Sequence, residues 1–266
     1  MSGGKRILAG AVNWLPAARR ALINVCFPRV CRVCDVFLPE WEPHSQYGEW
    51  FCASCEKQLH RVEPPFCARC GEAYDGAIQG EFKCDNCAGR DYDFDFAIAG
   101  YHAEGAVREL IHKFKYGGDL GLRECLGAML LTALDDPRFA SERLQDWVLV
   151  PVPLHGARRR EREFNQSEEL CLQVSRARNI PFLEALRRIR STGHQASLTR
   201  KQRLENLKSA FEVKKAFRGE SGLLAGRKVL LVDDVFTTGA TTHACARVLT
   251  RHAGVEKVVV ITVARG

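Results

Sequence analysis

Apolar residues gather into long runs only after about residue 94, and the runs are of two kinds. Val229, Leu230, Leu231 and Val232 follow one another without alternation, the pattern of a parallel strand covered on both faces. Residues 147–150 and 257–263 read as further buried strands, while Phe94, Phe96 and Ile98 alternate with smaller or polar residues toward Tyr101, another strand signal. Helical periods lie between. Val107, Leu110, Ile111 and Phe114 share one face of 104–116, and Gly117 and Gly118 stop that helix. Residues 120–134 and 164–178 read as helices, the second turning Leu170, Leu172 and Val174 inward, and 243–251 as a last one. Residues 156–163 read as a basic loop, and 187–208 as a long loop or a strand pair. Strands alternating with helices predict an α/β domain over 91–266, built on a doubly wound parallel sheet.

The first third of the chain has another character. Residues 26–90 are rich in Cys, Pro, Gly and aromatics, as expected of a small unit that needs stapling. Eight of the twelve cysteines form four Cys-x-x-Cys pairs: Cys31/Cys34, Cys52/Cys55, Cys67/Cys70 and Cys84/Cys87. Seventeen residues separate the first two pairs and thirteen the last two, spacings suited to zinc ribbons in which two knuckles close a tetrahedron of thiolates. Four copies outside any thioredoxin-like context argue against redox dithiols, and the lack of a secretory leader argues against a disulfide framework. Two structural Zn2+ sites are expected, with sequential and cross-braced pairings both open and no vacant position for catalysis. Cys125, Cys171 and Cys245 sit in apolar stretches and read as small buried hydrophobes, as does Cys26. Residues 1–25 form a basic amphipathic segment interrupted by Pro16, read as a helix against the body of the protein, with a targeting peptide as the alternative.

Charge changes the picture next. The chain carries a net +7, yet residues 155–218 alone hold 16 Lys or Arg against 7 Asp or Glu. Such a segment attracts polyanions, pyrophosphate and nucleic acid among them. No apolar run reaches the length of a membrane span, so a soluble protein is expected.

The chemistry concentrates after the strand at 229–232. Asp233 and Asp234 follow where that strand is expected to end, and Thr237, Thr238, Gly239, Ala240 and Thr241 lead into the last helix. Ligands of open α/β sheets bind at the carboxyl ends of the strands, and free amides opening a helix make a phosphate site. Two carboxylates beside such a loop suit a ligand carrying both a diol and a phosphate, a phosphorylated sugar.

The run VLLVDDVFTTGAT resembles the phosphoribosyl pyrophosphate (PRPP) signature of type I phosphoribosyltransferases. More widely, the order of motifs resembles the ComF family of competence-associated proteins. It includes the cysteine knuckles, KYGGD at 115–119, VPVPLH at 150–155, FNQ at 164–166 preceded by Arg159 and Arg162, and Thr192, Gln195, Leu198, Arg203 and Asn206. The family usually places glycine before FNQ, where this chain has Glu163. If that position takes a positive φ, a side chain there costs about 1–2 kcal/mol, unless the turn changes shape.

The resemblance implies a phosphoribosyltransferase-type domain over 91–266 behind a double zinc ribbon over 26–90, in a cytoplasmic protein. Asp233 and Asp234 would hold the ribose hydroxyls and residues 237–241 the 5′-phosphate. Pro153, Leu154, His155 and Gly156 would bind pyrophosphate through backbone amides, with Arg158, Arg159, Arg160 and Arg162 neutralising it. Arg200, Lys201 and Arg203, in a closing loop, would clamp it, with Mg2+ arriving alongside PRPP. The resemblance implies a protein handling single-stranded DNA with competence-machinery partners, its bases stacked on Phe164, Phe182, Phe211 and Phe217. An active phosphoribosyltransferase with an unknown acceptor and a PRPP-sensing regulator are the alternatives.

Overall fold

A computed structural model describes residues 28–38, 46–74, 76, 78, 80, 82–190 and 209–266. The amphipathic segment 1–25, Cys26, Arg200, Lys201 and Arg203 lie outside the described residues. The chain divides into two compact units, Met1–Lys57 and Gln58–Gly266.

In the first unit a bridge between Val30 and Phe37 closes one cysteine knuckle, and a single helical turn, α1 (Ala53–Glu56), carries Cys55 of the next. Tyr47 and Phe51 are buried beside them, their rings packed edge to face at 6.1 Å.

The second unit is built on a four-stranded parallel sheet: β1 (Phe96–His102), β2 (Trp147–Pro151), β5 (Lys228–Phe236) and β6 (Lys257–Arg265), in the order β1-β6-β5-β2. An antiparallel pair joins β3 (Leu186–Arg188) to β4 (Phe211–Val213), and most of the stretch 187–208, from 191 to 208, lies outside the described residues. β6 and β5 are central, and from Val258 to Arg265 every β6 residue is buried. Helices cover both sheet faces, as the aliphatic runs predict. Helices α3 (Arg123–Leu131) and α5 (Gln166–Arg178) pack on one side, with α2 (Gly105–Tyr116) beside α3. The other face holds Val148, Val150, Val229, Leu231, Val258 and Val260 in one apolar cluster with Ala244, Cys245, Val248 and Leu249 of α6 (Ala240–Ala253).

β1 departs from its alternating sequence, for its five central residues are all buried. Arg69 O accepts from Ala97 N at 2.9 Å, Val62 N donates to Gly100 O at 3.0 Å, and Arg61 bridges Tyr101. The chain entering the second pair of knuckles thus covers an otherwise open edge, which is how sheets avoid pairing with other chains. Gly71 makes the approach possible: its φ is +68°, and a Cβ there would come within 3.1 Å of Ala97 O. At the opposite edge, Leu149 N donates to Pro181 O and Leu183 N to Leu149 O.

Helix boundaries differ from the sequence pattern in two places. The stretch 120–134 is a central α-helix with 3₁₀ turns at both ends, Leu120–Leu122 and Thr132–Asp135. The basic stretch at 156 is a helix, α4 (Gly156–Arg162), capped by His155, whose Nδ1 accepts from Ala157 N at 3.3 Å. It lacks an apolar face, so periodicity gives no signal for it. Glu163 ends it at φ +66°, ψ −26°, the left-handed conformation that the glycine of the resembled motif would adopt without strain. Asn165 then caps α5, accepting from Ser167 N at 3.2 Å and donating to Val152 O at 3.1 Å. In α5 the inward face is Leu170, Cys171 and Val174, and Leu172 is half-buried instead. Among the described residues no helix is long and apolar enough to cross a membrane.

Candidate ligand pocket and metal centres

Asp233 and Asp234 lie within β5 rather than beyond it. The ladder to β6 continues past the aliphatic run, pairing Asp233 with Thr262 and Val235 with Ala264, so backbone hydrogen bonding carries the acidic pair into the sheet. They open onto a cavity of about 510 Å³ at the carboxyl end of the strands, also lined by Pro153, Leu154, Arg158, Arg162, Thr237 and Thr241. Of the residues proposed for a phosphorylated sugar, these eight share one cavity. Thr238 lines a neighbouring cavity of about 230 Å³, and Gly239 and Ala240 are buried beneath the loop. His155 and Gly156 cap and open α4. Arg159 pairs with Glu168 at 2.9 Å, on the outside of that helix.

The loop after β5 turns at Gly239, whose φ is +73°. A Cβ there would approach Phe236 to 2.7 Å and Tyr92 to 3.3 Å, so both conformation and space require glycine. The first hydrogen bond of α6 runs from His243 N to Gly239 O, which leaves the amides of 240–242 without intrahelical acceptors. Amides at a helix N-terminus and two threonine hydroxyls make a cradle for a phosphate.

The acidic pair is held by residues that motif reading did not assign. Lys115, at the end of α2, puts Nζ 2.8 Å from Asp234 Oδ1, and Asp234 is nearly sequestered from solvent. Burial works against the lysine's charge, but Asp234, with Asp233 behind it, outweighs that and raises its pKa. Asp233 Oδ1 accepts from Ser167 Oγ at 3.2 Å and from Asp234 N at 3.0 Å. Burial, and then the neighbouring Asp234 charge, push the Asp233 carboxyl up to about 7 despite Lys115 and these hydrogen bonds. The floor of the cavity therefore presents carboxylate acceptors with much of their charge cancelled, and Arg108, Arg158, Arg162 and Arg188 stand around it. Chemically, the floor suits hydroxyl donors and the walls suit anions. A signal for Lys115 was present in the sequence: one helical turn after Ile111, it places a charge on the buried face of an apolar helix. Arg188 had none, since β3 reaches the cavity only through tertiary pairing.

Of the aromatics expected to stack bases, Phe211 is buried in the core cluster and Phe217 packs against it. Phe164 packs on Phe114 with ring centroids 5.1 Å apart, and Phe182 lies in the segment that bridges Leu149 at the sheet edge. Phe211, Phe217 and Phe164 are thus engaged in packing within the fold.

The eight knuckle cysteines gather into two groups, Cys31, Cys34, Cys52, Cys55 and Cys67, Cys70, Cys84, Cys87, whose sulfurs lie within 4.8 Å of one another. The pairing is thus sequential. Cys34 and Cys52 sulfurs are 3.7 Å apart and Cys70 and Cys84 sulfurs 3.5 Å. Four thiolates around Zn2+ at about 2.3 Å stand roughly 3.8 Å apart, so both groups fit the ion. In each group burial raises the first thiol, but amides of the following knuckles outweigh it and leave Cys31 and Cys67 at about 7. The second group is fused to the sheet unit: Cys67, Cys70 and Cys87 belong to the core cluster of β2, β5 and α6. Arg265, buried, donates to Phe236 O at 3.2 Å and pairs with Glu72, while Tyr92 Oη donates to Thr238 O at 3.4 Å. Cys125, Cys171 and Cys245 are buried singly.

A doubly wound parallel α/β unit joined to two four-cysteine centres defines the class of protein. A family model described as a double zinc ribbon domain matches residues 22–88. The chain is 32% identical over 80% of its length, and 90% of the relative's, to competence protein F of Haemophilus influenzae. It is 29% identical, over 85% of this chain and 92% of the relative, to the DNA utilization protein YhgH of Escherichia coli K12. It is 26% identical, over 80% and 87%, to competence protein ComFC of Streptococcus pneumoniae. The chain belongs to the competence protein F (ComF) family. Among solved structures, the allosteric regulatory enzyme of purine biosynthesis matches 57% of this chain and 30% of that one, at 18% identity and a TM-score of 0.35, too slight a likeness to carry an argument.

Proposed function

We propose that the cavity binds a 5-phosphorylated ribose with its 2′,3′-diol free, PRPP above all, in a cytoplasmic protein that handles single-stranded DNA for competence. The observation that carries this reading is the placement of Asp233 and Asp234, steadied by Lys115 at 2.8 Å, on the strand that runs directly into the Gly239 turn and the N-terminus of α6. The diol donates to the carboxylates while the 5′-phosphate meets the loop amides, the two ends of one sugar. Mg2+ enters with the pyrophosphate, which faces Arg158, Arg162 and Arg188.

The DNA role comes from the names of the relatives, which speak of competence and DNA utilization. The strand itself is expected to be drawn by the basic stretch of residues 155–218 rather than held in the cavity. DNA has no 2′-hydroxyl and its internal 3′-oxygens are esterified, so the acidic floor has nothing to accept from it.

A second reading is phosphoribosyl transfer. The guanidinium wall favours it, because fixed cations stabilise charge developing on departing pyrophosphate. Calorimetric titration with Mg2+-PRPP tests the binding reading. Wild type is expected to bind, and the double variant Asp233→Asn, Asp234→Asn to lose affinity at least tenfold, which is about 1.4 kcal/mol. Equal affinity in the two proteins overturns it. Pyrophosphate release with an added acceptor decides between binding and transfer.

A further inference from the structure

Thr237 lies between two carbonyls that are tied back to the second cysteine centre. Arg265, buried, donates from Nη1 to Phe236 O at 3.2 Å, an oxygen shared with Gly266 N, while its Nη2 pairs with Glu72. Glu72 belongs to the Cys67–Cys70 knuckle, for its carbonyl accepts from Cys67 N at 2.8 Å. On the other side of Thr237, Tyr92 Oη donates to Thr238 O at 3.4 Å. Arg69, inside the same knuckle, donates from Nη2 to Tyr92 O and from Nη1 to Asp95 O, both at 2.6 Å. The Tyr92 ring stacks on Phe94 at 4.7 Å, and Asp93 N donates to His243 Nδ1 at 3.0 Å in the first turn of α6. One knuckle thus holds the loop at Phe236 and at Thr238.

A knuckle keeps its shape only while its sulfurs meet at one point. Four thiolates around Zn2+ do so and carry net negative charge, which favours the Arg265 cation that shares the cavity of about 230 Å³ with Cys70. Once the ion leaves, the sulfurs lose their common centre, and the anchors at Glu72 and Arg69 loosen together. We propose that Arg265 and Tyr92 are positioning residues that couple the second cysteine centre to the 237–241 loop, so that Zn2+ in the centre and a phosphate on the loop tighten each other's binding. That the loop holds a phosphate rests on the sugar-phosphate reading of the cavity. That the centre shapes the loop rests on the hydrogen bonds alone.

The test uses the full chain as wild type, as Cys31→Ser, whose filled centre is the second, and as Cys31→Ser with Tyr92→Phe. Zinc affinity is read by competition with a chromophoric chelator, with and without ribose 5-phosphate. Hydrogen exchange is followed at the amides of 237–242 and in β5 and β6. In Cys31→Ser, ribose 5-phosphate is expected to tighten zinc about 5- to 150-fold, the usual range of coupling between two sites. Withdrawing zinc, from this chain or from wild type, should speed exchange at 237–242 before β5 and β6 lose protection. Tyr92→Phe keeps the ring and loses the hydroxyl, so the tightening should shrink about 2- to 10-fold, the worth of one neutral hydrogen bond. If ribose 5-phosphate binds and zinc affinity does not respond, the coupling is refuted and the pocket stands. If ribose 5-phosphate fails to bind while zinc withdrawal still loosens 237–242, the sugar-phosphate reading falls and the link from centre to loop remains. Exchange that rises evenly through β5, β6 and the loop marks plain unfolding and overturns the proposal. A Tyr92→Phe chain that couples as strongly as its parent overturns the role of that hydroxyl.

Discussion

Glu163→Gly should stabilise the protein. Glu163 follows α4 at φ +66°, ψ −26°, where a Cβ crowds the backbone, and its side chain is exposed. Holding an L-residue there costs about 1–2 kcal/mol, all of which glycine removes. Glycine also enlarges the conformational freedom of the unfolded chain, which returns about 0.4–1 kcal/mol. At the midpoints of the two ranges the balance is a gain of roughly 0.8 kcal/mol. For a unit the size of Gln58–Gly266, 1 kcal/mol moves Tm by about 2–4 °C, so a rise of roughly 1–4 °C is expected. Scanning calorimetry of wild type, Glu163→Gly and Glu163→Ala separates backbone from charge: alanine removes the carboxylate but keeps the Cβ, and should show little of the rise. An alanine variant as stable as the glycine variant, or a glycine variant that melts at or below wild type, refutes the strain argument.

Asp233 gives a pH signature. Its folded pKa of about 7 stands above the unfolded value of about 3.9, so the folded state holds the proton longer and stability falls as pH rises from about 4 to about 7, then levels. Denaturant titrations at pH 5 and pH 8 should show this fall in wild type and a smaller one in Asp233→Asn; parallel profiles would contradict the assignment. The two metal centres should also behave differently. Cys67→Ser removes a ligand whose group is built into the core cluster of the sheet, so it should lower the melting of that unit and halve the zinc content. Cys31→Ser should halve the zinc content and leave the sheet transition in place, and zinc release to a chromophoric chelator alongside calorimetry checks both.

Much of the candidate site was legible because it is local. A β-strand, two adjacent carboxylates, a tight glycine turn and a helix start are contiguous in the chain, and their geometry follows from short-range backbone rules. The same holds for Cys-x-x-Cys knuckles, which point two sulfurs at one place within a few residues. Glu163 was legible for a similar reason, since a side chain where the resembled motif has glycine is a statement about φ. Helix α4 was not legible, because Gly156–Arg162 has no apolar stripe to give a period.

The sequence by itself determined the alternation of strands and helices, the acidic pair, the glycine turn after it and the cysteine sets, because each is encoded by neighbouring residues or by hydropathy. Only the tertiary structure decided that Lys115 neutralises Asp234, that Arg188 and Tyr116 reach the cavity, that Phe211 is spent on the core, and that the second cysteine group seals the edge of β1. Those outcomes depend on which distant segments the sheet order brings together, and charge, burial and the Asp233 pKa all follow from that proximity rather than from any local pattern.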